Sequence, residues 1–374
     1  MSAVVYHGAN DLRLETVPVP SIRPHELLVK VAVCGVCPTD IKKIHYGTLP
    51  PPRIFGHETA GTIVRVGSKG LRFKVGQRVA LHHHVPCLEC HACRHHTFAQ
   101  CSQYKRTGIT AGFEPAGGGY AEYVRVMPFV LPGVVPIPER NSFLEGAMLE
   151  PVNTVLKAVE RLPLLREDTV LVAGQGPIGL MFTRLLALKG MRVIATDLLE
   201  TRLHLAREFG AEWVIKAQSP KGKVQSPESI QPESAGTGQR TTAKVQSQLE
   251  VLVGRLTQGR GLDAAVIAVP SDEVVEQAQS LLRGGGQVLL FSHTRRGETT
   301  AVDLATVCVD EKDLIGSYSA DFLLQKQVAA LVFSRKLDVK TLITHRFPLE
   351  QTGAAVKLAA RPSENSLKVV VDQT

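Results

Sequence analysis

Residues 169–179 read TVLVAGQGPIG, an unbroken apolar run that ends in G-x-G-x-x-G and passes straight into a helical pattern. No other stretch narrows the fold as far. A strand apolar on both faces belongs inside a parallel sheet covered by helices. Ile178, Met181, Phe182 and Leu185 then recur at helical spacing, and Gly190 closes the helix. RVIATD and LLETRLHLAREFG repeat the strand–helix unit, and DAAVIAV and GQVLLFS supply later strands. Buried strands alternating with helices give βαβ units. The expectation is an α/β chain with a Rossmann-type parallel-sheet nucleotide-binding domain.

Within the turn, Gly174 permits the tight bend, Gly176 lets backbone approach a pyrophosphate, and Gly179 allows close helix–strand packing. The helix that opens at Pro177 and Ile178 offers unpaired N–H groups and a partial positive charge to phosphates. Asp197 ends the second strand, 18 residues past Gly179. A carboxylate there accepts hydrogen bonds from ribose hydroxyls and repels a 2′-phosphate, which favours NAD over NADP. Arg202 lies five residues on, at the ribose edge or facing solvent.

The first 150 residues have a different texture. ELLVKVAVC, AGTIVRVG and AEYVRV are β-branched runs bounded by Gly and Pro clusters such as GTLPPP and PAGGG, a mostly β architecture. The last 55 or so residues return to short elements ending in SLKVVVD, a strand that can rejoin the first part. The expected boundaries are 1–152 for a catalytic domain, 153–318 for the nucleotide-binding domain and 319–374 for the return. Residues 218–248, rich in Ser, Gln, Pro and Lys with no hydrophobic period, read as a disordered insert.

HHHVPCLECHACRHHTFAQC, residues 82–101, holds Cys87, Cys90, Cys93 and Cys101, four of the seven cysteines. Four thiolates in one short loop make a closed coordination shell, the mark of a structural zinc. His91, His95 and His96 read as solvated or peripheral, and His82, His83 and His84 as closer to the domain interior, with no role assigned. Elsewhere CGVCPTD, GHE and LEP offer Cys37, His57 and Glu150: one thiolate, one imidazole and one carboxylate from separated elements. Three protein ligands with an open position is the layout of a catalytic zinc. Taken singly, each residue also has a plainer reading, as a redox pair with Cys34, a turn histidine or a helix-start carboxylate. Cys34 itself, at a strand end, reads as a core thiol.

A net charge of +8 raises nucleic-acid binding, but the basic residues are scattered and aromatics are only 5%, so little could stack on bases. No apolar run approaches the roughly 18 residues that span a bilayer, and the start lacks the features of a signal peptide. The expected setting is the cytoplasm, where clustered cysteines bind metal more often than they form disulfides.

CGVCPTD, GHETAG, VPCLECHAC, GGGYAEYV, LEP and GQGPIG occur in the order that marks zinc-dependent medium-chain alcohol dehydrogenases, and the chain resembles that family over nearly its whole length. The Glu150–Pro151 pair resembles the sorbitol and threonine dehydrogenase branches. The resemblance implies a catalytic zinc at Cys37, His57 and Glu150, with Glu58 able to swing into coordination, and a second zinc on the four cysteines. It implies that Asp40 orients His57 and that Thr39 takes the substrate proton. Thr154, Ile178 and Tyr318 fall near positions that line the cofactor. Lys42 departs from the pattern, since many relatives carry a histidine there that ends the proton relay; His45 is a substitute or a surface residue. The implied activity is NAD-dependent oxidation of a secondary alcohol, a polyol or sugar, with L-threonine 3-dehydrogenase as the alternative, in a homodimer or homotetramer. A non-catalytic zinc module would lack one of the catalytic ligands, and a zinc-free reductase of this fold would lack both the cysteine cluster and GHE.

Overall fold

The computed structural model describes residues 1–68, 72–82, 85–107, 117–217, 243–292, 297 and 299–374. Ala158–Ser317 forms one unit, and Met1–Lys157 with Tyr318–Thr374 forms the other.

The Ala158–Ser317 unit is built on six strands in the order Trp213–Lys216, Arg192–Asp197, Thr169–Ala173, Leu262–Ile267, Leu282–Leu290 and Asp313–Gly316. Every neighbouring pair is parallel. The TVLVA strand lies third, with Val170, Leu171 and Val172 at most 1% exposed, as a run apolar on both faces demands. From it the chain winds outward to Trp213–Lys216, then returns to build the other half from Leu262–Ile267. That reversal leaves a crevice at the carboxyl end of Thr169–Ala173, where open α/β sheets bind ligands. Helix Pro177–Leu188 starts there, with Gly176 as its N-cap.

Part of the polar stretch 218–248 departs from the expectation of disorder. Residues 243–248 belong to helix Ala243–Leu256, while 218–242 lie outside the described residues. Leu249 and Val253, one turn apart and both 3% exposed, anchor that helix to the sheet core. Once nucleated, a helix extends upstream at little cost, even through Gln and Ser.

In the other unit, strands run in the order Ile343–Phe347, Lys368–Asp372, Leu27–Gly35, Glu58–Val66, Arg78–Leu81 and Val135–Pro136; Tyr123–Val126 also pairs with Leu27–Gly35. The ELLVKVAVC, AGTIVRVG and SLKVVVD runs are thus three adjacent strands. In this register Gly35 faces Glu58 on one side and Val370 on the other. A Ser2–Gly8/Asp11–Thr16 hairpin that the alternation did not announce pairs with Arg53–Ile54. Among the described residues no helix is long and apolar enough to cross a membrane.

Candidate active site

Cys37 is the N-cap of helix Pro38–Tyr46, with Pro38 at the first helical position, where its fixed φ suits the turn and no N–H is lost. The strand ending at Gly35 and this helix hold Cys37 between them. His57 lies just before strand Glu58–Val66. The donor atoms of Cys37, His57 and Glu58 all lie within 4.8 Å of one another. Nδ1 of His57 stands 2.9 Å from Oδ2 of Asp40, which is wholly buried in the first turn of the Cys37 helix. Burial pushes the Asp40 carboxyl up, but the His57 charge and hydrogen bond outweigh it and leave it lowered. Burial pushes His57 down, and the Asp40 and Cys37 partners outweigh that and raise it well above the ordinary value. With Nδ1 committed to Asp40, Nε2 is the ring atom left to bind a metal, a familiar division of labour between ligand and orienting carboxylate.

Glu150 opens helix Leu149–Val159 and is 5% exposed. It lies outside the mutually close triplet, although the charges of His57, Glu58, Lys368 and Asp40 all act on its carboxyl. Burial raises that carboxyl to about 7, with Glu58 adding to the effect and His57 opposing it. In metal-free protein the folded chain therefore keeps a proton that the unfolded chain, at the ordinary 4.5, releases. Stability must fall as pH rises between those two values, by about 3 kcal/mol, and Glu150→Gln should flatten the slope. Denaturant unfolding of chelator-treated protein at both ends of that range measures it.

Sequence reasoning missed Lys368. Its Nζ, 5% exposed as a residue, stands 2.5 and 2.6 Å from the two oxygens of Glu58 and donates to the Val36 carbonyl at 3.0 Å. The two residues lie on strands separated by Leu27–Gly35, and Glu58 crosses at Gly35, where a Cβ would run into its carboxylate. Burial lowers the Lys368 ammonium and Glu58 more than restores it, leaving it raised. Lys368→Met strands a buried carboxylate, and we expect a loss of about 3–5 kcal/mol in denaturant unfolding. The only sequence signal was a lysine directly before the apolar run of strand Lys368–Asp372.

Thr39 is half-buried at the second position of the Cys37 helix, and Lys42 follows one turn later. His45 is exposed, with Nδ1 3.2 Å from Oδ1 of Asn10. Thr154 donates its hydroxyl to the Pro151 carbonyl at 2.8 Å. Tyr318 is 46% exposed, and its carbonyl accepts from Lys157. Cys34 is fully buried, with burial pushing its thiol up to about 12. His82 is buried too, its ring pushed down to about 3 by burial; His83 and His84 lie outside the described residues.

Sulfurs of the second cluster stand at 3.5 Å for Cys90–Cys93, 3.6 Å for Cys87–Cys101 and 3.9 Å for Cys87–Cys93. A tetrahedron with Zn–S bonds of about 2.3 Å has edges of about 3.8 Å, whereas a disulfide needs about 2 Å. The four thiols fit zinc. The Cys37, His57 and Glu58 set fits it as well, a thiolate from the first helix meeting an imidazole and a carboxylate at the start of strand Glu58–Val66.

In the Ala158–Ser317 unit, Gly174 has φ +90°, and a Cβ on Gly179 would strike the Gly174 carbonyl. A Cβ on Gly176 would meet nothing, so that backbone lies open to a ligand, with half-buried Pro177 and Ile178 beside it. Gln175, fully buried, pins the turn: its Nε2 donates to the Val172 carbonyl and its Oε1 accepts from Thr183, each at 2.9 Å. Asp197 accepts the Gln175 N–H at 2.6 Å and the Leu199 N–H at 2.9 Å, which fixes its carboxylate at the strand end. Arg202 stands 3.9 Å from it.

Residues 23–139 match the alcohol dehydrogenase GroES-like domain, and residues 177–334 match the zinc-binding dehydrogenase domain. The chain belongs to the zinc-dependent medium-chain alcohol dehydrogenase family. It is an oxidoreductase of that family, as the ordered motifs implied. It is 30% identical to an erythritol/L-threitol dehydrogenase of Mycolicibacterium smegmatis, with 99% of this chain and 96% of that one covered. It is 29% identical to a sorbitol dehydrogenase of Bacillus subtilis, covering 99% and 97%. An alcohol dehydrogenase of Thermotoga maritima shares the fold with a TM-score of 0.84 at 22% identity, covering 99% and 98%.

Proposed function

We propose that this chain oxidises a secondary alcohol of a polyol or sugar to a ketone, with NAD as hydride acceptor and two zinc ions per chain. The mutual approach of Cys37, His57 and Glu58, with Asp40 behind the imidazole, carries the reading. When bound, zinc supplies the Lewis acidity that brings an alcohol proton toward neutral pKa, and NAD takes the hydride. The remaining work falls to the side chains. Asp40 holds the His57 ring in one tautomer, and Lys368 neutralises Glu58. The Thr39 hydroxyl receives the substrate proton and passes its own outward to water; Lys42, a donor with no acceptor site, stands where many relatives carry a histidine. The Asp197 carboxylate supports NAD over NADP, because a 2′-phosphate there would meet a fixed negative charge. Polyol activity follows the substrates in the names of the sorbitol and erythritol/L-threitol relatives.

The test is metal content together with NADH formation over a panel of polyols, L-threonine and simple alcohols, run with NAD and NADP. Two zinc ions per chain and turnover of a polyol with NAD support the reading. One ion with no turnover overturns it.

The seven free cysteines suit a reducing compartment, and we assign the protein to the cytoplasm. We also assign it a homo-oligomeric state. Helix Leu304–Val309, sequence LATVCV, buries no residue; Leu304 is 74% and Val309 80% exposed. The next element is Asp313–Gly316, the edge of the parallel sheet among the described residues, with Leu314 39% exposed. A second copy related by a two-fold axis would pair this edge with its own and cover those apolar groups. Val309→Asp with Leu314→Lys should yield monomers in analytical ultracentrifugation; an unchanged mass would remove this face from the assembly.

A further inference from the structure

Tyr104 joins the four-cysteine lobe to the segment that begins at Tyr318. It follows Cys101 by three residues and packs against the small cluster of Cys93, Phe98 and Cys101. Its hydroxyl lies 3.4 Å from Oγ of Ser319. Ser319 belongs to a segment fastened at several points. Phe322 packs edge-on against Phe98 of the lobe, with ring centroids 5.5 Å apart. Asn153, fully buried on the Glu150 helix, accepts the Asp321 N–H at 2.8 Å and donates to Oε1 of Gln325 at 3.0 Å. Lys157 of the same helix donates to the Tyr318 carbonyl at 2.9 Å. Residues 318–325 are therefore laced on one side to the lobe and on the other to the helix that carries Glu150. The Tyr104 phenol stands in that lacing, where the charges of both His57 and Glu150 act on it.

A side chain that only filled space between lobe and segment would need no hydroxyl. A phenol can donate and accept at once, which suits a hydroxyl group of a substrate. Burial, reinforced by Glu150, raises its pKa, so it keeps its proton at physiological pH. We propose that Tyr104 is a substrate-recognition residue of this chain, its hydroxyl held by the four-cysteine lobe and by Ser319 to bind a second hydroxyl of a polyol whose first is at the metal. This rests on the polyol reading above. It gives the lobe a role in selectivity, because the side chain that reads the substrate is the first aromatic one after the fourth cysteine. Placement by two independent anchors is what a selective contact requires, since a loosely held donor discriminates poorly.

The test uses the zinc-loaded enzyme with erythritol and 2-butanol, two four-carbon alcohols that differ in their extra hydroxyls. Tyr104→Phe should raise KM for erythritol about tenfold, with kcat nearly constant, and change KM for 2-butanol by less than about twofold. Calorimetric titration of erythritol into the zinc-loaded protein without cofactor should show the same loss of affinity. Ser319→Ala should shift both readouts in the same direction by a smaller factor. Equal changes for the two alcohols, or no change in KM and affinity, would overturn the proposal. Should wild-type enzyme bind and oxidise no polyol at all, the functional reading itself fails, which the wild-type arm alone reveals. Zinc content of Tyr104→Phe must equal the wild-type value; a drop would mark a structural role and overturn the assignment.

Discussion

Cys37→Ser should lower turnover by at least about a thousandfold while NAD affinity stays within about twofold of the parent. The size follows from position. Loss of a group that merely orients a metal ligand costs about 10–100-fold in metal affinity or activity. Cys37 is one of three donors whose atoms lie within 4.8 Å, so on the zinc reading proposed above its loss removes a bond to the metal itself. A serine hydroxyl is a far poorer zinc ligand than a thiolate, and the vacated side of the site opens at a helix N-cap. Bound metal should fall from two ions per chain to one, because the four-cysteine set does not share this residue. Asp40→Asn provides the calibration. It keeps the shape but removes the charge opposite Nδ1 of His57, and should cost about 10–100-fold with most of the metal retained. Retention of two ions and near-normal turnover in Cys37→Ser would remove this cysteine from the centre. Cofactor affinity, measured by fluorescence titration with NADH, is the control, since the glycine turn belongs to the Ala158–Ser317 unit.

How much of this could be read from the residues depended on how local each signal was. The Thr169–Ala173 strand, the turn after it and helix Pro177–Leu188 were legible because every cue lies within 20 residues. Gly179 had to be glycine for the reason given by its spacing, since any Cβ strikes the Gly174 carbonyl. Cys37 and His57 were legible by residue type, and the sequence reading took Glu150 as the third ligand with Glu58 behind it; the close approach of Glu58 to the pair was not legible. Both are buried carboxylates, and only three-dimensional register shows Glu58 crossing the gap left by Gly35. Lys368 is 310 residues from Glu58, and no periodicity connects them. Helix Leu304–Val309 illustrates the opposite limit: its composition suits a core, yet none of its residues is buried. Apolar sequence declares that a surface wants covering without saying by what.

The four-cysteine lobe gives the second large effect, and it falls on folding before chemistry. Cys93→Ser should lower the thermal midpoint, release one zinc ion per chain and speed hydrogen exchange at the amides of residues 90–101. Among the described residues, the cluster around these sulfurs contains three buried ones, Cys93, Phe98 and Cys101. Helix His91–Arg94 is a single turn, and the 3-10 turn Phe98–Gln100 is shorter still. Elements of that size have no independent stability. The metal must supply what the core does not, and structural zinc contributes about 10–16 kcal/mol of apparent binding energy in small domains, as much as a whole domain's stability. Without it the thiols, now 3.5 to 3.9 Å apart, lose the charge that holds them together. Damage should spread along the lacing described above rather than through the parallel sheet. The amides of 318–325 should exchange faster through the Phe98–Phe322 contact, while Val170–Val172 keep their protection. Exchange mass spectrometry distinguishes the two patterns. Uniform loosening of both units would mean that the lobe supports the whole chain, and an unchanged profile with two zinc ions retained would mean that Cys93 is no ligand.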